Sequence, residues 1–165
     1  MLGAFKLLGQ LAGTRLPLTS SGARALDDLL ENGVRGEPDV DGMATLDGDA
    51  VQVLVWNYHD ELVTAAAARV HLTIRVPVSF GPMVRVAHLR VDESHGDAYS
   101  VWVSQGMPAS PSAPELAALK QAMDPKPLAP DQTLAATADG FVAVDFDLPR
   151  FGVSLLTIAS EPAPP

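Results

Sequence analysis

The feature that most constrains this chain is a period-two alternation of apolar and polar residues, repeated in short runs. In Arg69–Arg75, RVHLTIR, the side chains of Val70, Leu72 and Ile74 fall on one face and those of His71 and Thr73 on the other. In Ala50–Asn57, Val51, Val53 and Val55 alternate with Gln52, Leu54 and Trp56. Similar runs cover Asp41–Leu46, Met83–Val91, Thr133–Ala138, Phe141–Leu148 and Gly152–Ala159. Asp47-Gly48 and Asp139-Gly140 are hairpin signals, because both supply residues that tolerate a positive φ. About seven strands with hairpin signals and no βα alternation argue against a parallel α/β sheet and predict a mainly β fold, an antiparallel β-sandwich.

Three segments depart from the alternation. Ala4, Leu7, Leu8 and Leu11 recur at helical spacing with Phe5 beside them, which predicts a short N-terminal helix. A secretory leader is the poorer reading, since the charged-then-apolar order is wrong. ARALDDLLENG predicts a turn or two of helix ending at Gly33. The third departure is the largest: after Val91 the sequence runs DESHGDAYSVWVSQGMP and does not return to a strand pattern until about Pro130. Connections between strands usually take two to five residues, so an excursion over 92–130 is either functional or disordered, and a helix inside it argues against disorder. It carries a helix of its own. Ser112 and Glu115 have capping-box spacing, Pro114 sits in the first turn, and Leu116, Leu119, Ala122 and Met123 form an apolar stripe. The Pro-rich end, 161–165, reads as a frayed tail.

Composition narrows the function. A formal charge of −9 with no basic cluster excludes nucleic acid and anionic membrane surfaces as partners. No apolar run approaches the ~20 residues of a membrane span. The absence of cysteine removes disulfides and thiolate chemistry, and suits the cytoplasm without excluding secretion. His59, His71, His88 and His95 show no metal-binding spacing, so neither a metal nor a cofactor is expected. The serines lack a nucleophile elbow. Glu37, Glu61 and Glu115 read as turn, strand-end and cap acids, none offered a carboxylate partner for glycoside chemistry. The residues that stand out are His95, Tyr99 and Trp102, grouped at the head of the excursion.

Four stretches, VLVWNYHDE (53–61), VRVAHLRVDESHGDAYSVWVSQGMP (84–108), ELAALKQAM (115–123) and DLPRFGVSLLTI (147–158), occur in this order. Together they resemble the C-terminal portion of bacterial β-xylosidases of glycoside hydrolase family 39. AFKLLGQLAGTRLPL (4–18) is similar to the last barrel helix of that family and its exit. The resemblance implies a remnant of that helix over 1–13 and a β-sandwich accessory domain over 14–160. It also implies that the catalytic glutamates belong to a (β/α)₈ barrel of ~250 residues, which these 165 residues cannot contain. Glu37 lies in Gly-Glu-Pro rather than the family's Asn-Glu-Pro and is not carried over. The expectation is therefore a chain without catalytic residues of its own, inactive alone, with the barrel as its partner. His95, Tyr99 and Trp102 are expected at the pocket rim or the domain interface, with xylo-oligosaccharide as a candidate ligand and self-association through the N-terminal helix. A free-standing carbohydrate-binding module and a purely structural or oligomerisation domain remain the alternatives.

Overall fold

The computed structural model describes residues 2–62 and 64–161. The chain runs α1 (Leu2–Leu8), β1 (Thr14–Leu16), α2 (Leu26–Asn32), β2 (Asp39–Asp47), β3 (Ala50–Tyr58), β4 (Ala68–Arg75) and β5 (Met83–Val91). It continues through α3 (Ala98–Ser104), α4 (Ala113–Ala122), β6 (Lys126–Pro127), β7 (Gln132–Ala135), β8 (Phe141–Leu148) and β9 (Val153–Ser160). All pairings are antiparallel. A large sheet has the order β1-β2-β3-β9-β5, with β6 and β7 sharing the far edge of β5; β4 and β8 form a second, two-stranded sheet.

The alternation read from the sequence sets the two faces of each strand. Ala44, Val51, Val53 and Val55 from the large sheet meet Ile74, Val142, Phe146 and Leu148 from the small one in the main core. The mainly β antiparallel fold is thus built around apolar side chains that alternate inward from both sheets. The β2–β3 hairpin turns at Asp47-Gly48, where Gly48 has φ +52°, and the turn before β8 places Gly140 at φ +78°. β1, β6 and the helix α3 are additions to the elements predicted, and the last residues of the Pro-rich tail, 162–165, lie outside the described residues.

A second apolar cluster covers the outer face of the large sheet. Leu7 of α1 is fully buried there with Leu54, Val91 and Leu155, and Leu11, Trp56 and Leu89 pack around them. Burying Leu7 contributes about 2–3 kcal/mol. The predicted helical face is rotated in consequence: Leu7 and Leu11 face the sheet, whereas Phe5 and Leu8 are exposed. Trp56 belongs to this outer cluster rather than to the core between the sheets, and its indole N–H donates to Asp39 Oδ2 at 2.9 Å.

Candidate functional site

The excursion leaves β5 and returns to it. Its two ends meet as β6, where Leu89 pairs with Pro127 and Arg90 with Lys126. Above this stem the chain turns tightly: Asp92 N–H donates to His95 O at 2.8 Å and His95 N–H to Asp92 O at 3.1 Å. Gly96 follows at φ +67°, so close to the returning chain that a Cβ would lie 2.9 Å from the Asp124 carbonyl oxygen. Only glycine meets both demands. Asp97 then caps α3, accepting the Tyr99 and Ser100 N–H groups at 3.0 and 3.1 Å. Ser112 and Glu115 form the expected capping box on α4, with Ser112 N–H donating to Glu115 Oε2 at 2.7 Å.

α3 and α4 lie against each other, and α4 buries Leu119 and Ala122. Leu116, predicted to anchor the same stripe, is 44% exposed. With Tyr99, Val103 and Met107 it belongs to the exposed apolar side chains of the excursion. α1 braces the stem from below. A Cβ on Gly3 would touch Val91 and the carbonyls of Gly96 and Met123, and Lys6 forms an ion pair with Asp124.

Beneath the stem lies a polar cluster that the sequence reading did not identify. Arg90 is fully buried. Its Nε–H donates to Ser154 Oγ at 2.8 Å, one terminal nitrogen donates to Asp147 O at 3.1 Å, and the other reaches Asp92 Oδ2 at 3.3 Å. The guanidinium carbon stands 5.6 Å from the Phe146 ring centroid. Since Ser154 accepts from Arg90, its hydroxyl proton is available to His88 Nε2, 2.9 Å away. His88 meets Phe146 edge-to-face, with ring centroids 4.7 Å apart. Burial lowers the His88 pKa from 6.5 to about 4, and the nearby Arg90 and His95 add to this. Asp92 is pushed upward by burial, but hydrogen bonds from His95 and Ser94 and the charges of His95 and Arg90 outweigh that and hold it below the usual carboxylate value.

The three residues singled out from the sequence occupy two levels of this assembly. His95 is in the stem, its Nδ1 2.8 Å from Asp92 Oδ1. Tyr99 and Trp102 sit together on α3, ring centroids 5.9 Å apart and planes inclined at 40°. Tyr99 is 66% exposed; Trp102 is partly buried, its indole N–H donating to Pro108 O at 3.1 Å. Of the other histidines, His59 is buried, accepting the Glu61 N–H at 3.0 Å and facing Gly36 O at 3.1 Å, and exposed His71 pairs with Asp145 at 3.0 Å. Among the described residues no group of three His, Asp or Glu converges as a metal site. The arrangement is suited to contact and to positioning: a braced stem holding exposed aromatic and aliphatic side chains.

Solved structures carry the same architecture. The chain superposes with a TM-score of 0.70 on a GH39 enzyme from Xanthomonas axonopodis pv. citri, at 20% identity over 95% of this chain and 29% of that one. It shares its fold with part of a GH39 enzyme. A monomeric β-xylosidase from Caulobacter crescentus CB15 gives a TM-score of 0.65 at 18% identity, over 96% of this chain and 30% of that one. A bacterial orthologue of human α-L-iduronidase gives 0.70 at 20% identity, over 99% and 27%. The chain thus spans less than a third of each structure it matches. No family model matches it.

Proposed function

We propose that the chain is the accessory β domain of a β-xylosidase-like glycoside hydrolase, bracing a catalytic (β/α)₈ barrel and presenting the 92–130 excursion at the rim of its active site. The observation that carries this reading is the match of nearly the whole chain to less than a third of GH39 enzymes. The excursion supports it physically. A stem fixed at β6, Gly96 and Arg90 holds its upper part in one place, and that part exposes Tyr99, Val103 and Met107. Exposed apolar side chains on a fixed support mark a surface that another body covers. His95 then orients the stem, and Tyr99 with Trp102 contacts the barrel or a xylo-oligosaccharide at the pocket mouth. The exposed Phe5 and Leu8 of α1 would face the barrel in the complete enzyme and drive self-association of the chain alone.

A free-standing sugar-binding module is the weaker reading. Its platform would need Tyr99 and Trp102 as neighbouring flat faces, but the rings are inclined at 40° and Trp102 is held to Pro108. Aryl β-xyloside hydrolysis tests the proposal. The chain alone should give the buffer rate, and the polypeptide carrying a barrel in frame should turn over. Tyr99→Ala should lower kcat/KM in that polypeptide at unchanged thermal stability. Turnover by the chain alone, or an unchanged kcat/KM, would refute the reading.

A further inference from the structure

The two-stranded sheet leaves an outer edge on each of its strands, and the one on β4 borders a groove. β4 pairs with β8 along one edge, and its other edge meets no strand among the described residues. The Val76 N–H donates to Gly140 O at 2.9 Å, one step beyond the ladder, which sets the phase of the bonding. With the register Arg69↔Asp147 to Arg75↔Phe141, even-numbered residues of β4 bond to β8, while the N–H and C=O groups of Arg69, His71, Thr73 and Arg75 point to the open edge. Beside that edge runs a groove of about 670 Å³ between β4 and the extended segment Leu16–Thr19, floored by Ala44, Val51 and Val53. A second hollow of about 320 Å³ shares Leu18 and Leu72 with it and carries it on to Val55 and Val70. Val70 and Leu72 of β4 are only partly buried beside these hollows, as is Val144 across the sheet, whereas Ile74, Val142, Phe146 and Leu148 are buried.

We propose that the free edge of β4 is a docking site for one more β-strand, an extended segment of alternating apolar and acidic residues supplied by polypeptide outside these 165 residues. The apolar residues of that strand fill the groove, and its backbone satisfies the open N–H and C=O groups. The acidic residues follow from charge. The outward side chains of β4 include Arg69, His71 and Arg75, and β8 already meets them with Asp145, 3.0 Å from His71, and Asp147, 3.2 Å from Arg69. A second copy of β4 is the wrong occupant, because antiparallel self-pairing sets these cationic side chains against one another. The source of the strand rests on the accessory-domain reading: the resembled structures have more than twice as much further chain from which to supply it.

Amide hydrogen exchange of the full chain, followed residue by residue by NMR, tests this. In the free chain the amides of Arg69, His71, Thr73 and Arg75 should exchange at least tenfold faster than those of Val70, Leu72 and Ile74. A synthetic peptide with the β8 sequence Phe141–Leu148 is the probe, since it has the required alternation. At saturation it should slow the four edge amides at least tenfold. A version with lysine at both aspartate positions should bind at least tenfold more weakly, and one N-methylated at alternate amides should not bind. Edge amides already protected in the dilute free chain would overturn the proposal, as would equal binding of the N-methylated peptide. Protection that grows with protein concentration alone would assign the edge to a second copy and overturn the stated occupant. Activity of the barrel-bearing polypeptide tests the accessory reading separately, so either can fail alone.

Discussion

Acid should destabilise this fold from about pH 6.5 downward, and His88 is the cause. In the unfolded chain His88 takes up a proton near its ordinary value of 6.5; in the fold it does so only near 4. Burial is the main reason, and the buried Arg90 guanidinium adds to it. The hydrogen bonding has the same sense. Ser154 Oγ already accepts from Arg90 and gives its proton to His88 Nε2, so protonating that nitrogen would aim two cationic donors at one hydroxyl. Between the two values the unfolded state binds more protons than the folded state, so stability falls as pH falls from 6.5 towards 4. Below about 4 the folded protein takes the proton too, and this loss levels off. At about 1.4 kcal/mol per tenfold change in proton affinity, the whole loss amounts to about 3 kcal/mol. Urea melts at pH 7.0 and 4.5 measure most of it. His88→Gln keeps an acceptor for Ser154 without a titrating group, and its stability should change by less than half as much over the same interval. Equal losses in both proteins, or a flat profile between these pH values, would refute the reasoning.

Arg90→Met should destabilise the chain by about 3–5 kcal/mol in a urea melt, because it removes the buried guanidinium that Asp92, Ser154 and the Asp147 carbonyl all face and leaves Asp92 with only His95 of its two side-chain partners. Arg90→Met with Asp92→Asn should recover part of that loss. Leu119→Ala should cost about 2–5 kcal/mol and Leu116→Ala under about 0.5 kcal/mol, since the first is buried and the second exposed; equal costs would contradict the observed rotation of α4.

The strands were legible because alternation with period two leaves little choice of which face is buried. β5 was the exception in its second half. Val84 and Val86 face the core between the sheets, whereas Leu89 and Val91 pack on the outer face beneath α1. A strand apolar on both faces gives no clear phase, so hydrophobicity did not mark His88 and Arg90 as inward residues. The signal available was that they continue the even-numbered series of Val84 and Val86, with Asp92 next in line as a counter-charge. α3 escaped notice for a different reason. Tyr, Val, Trp, Val and Ser are weak helix formers, and the helix rests on the Asp97 cap and on packing against α4. In α4 both cap and stripe were readable, and the helix lies where they predicted. The exposure of Leu116 was not readable, because it depends on which flank of the stripe meets α3.

The construction of the stem bears on why the excursion exists. Joining β5 to β7 needs only a few residues. Instead the chain buries an arginine and sets a glycine at φ +67° against a carbonyl. It also closes the base with β6 and ties α1 to it through Gly3 and Lys6. Burying a charge opposes folding even when it is paired, and glycine loses more backbone freedom than any other residue. Arg90 touches the main core only at Phe146 and the Asp147 carbonyl, and Gly96 not at all, while the apolar residues there already join the two sheets. What they do is fix the direction in which α3 leaves the sheet. A surface loop free to move would expose Tyr99 equally well, but would present it to a neighbour at an entropic cost on each encounter. Holding the stem removes that cost in advance. The same bracing ties α1 to the excursion, so a body packed on Phe5 and Leu8, as in the proposed complete enzyme, would also set where Tyr99 points.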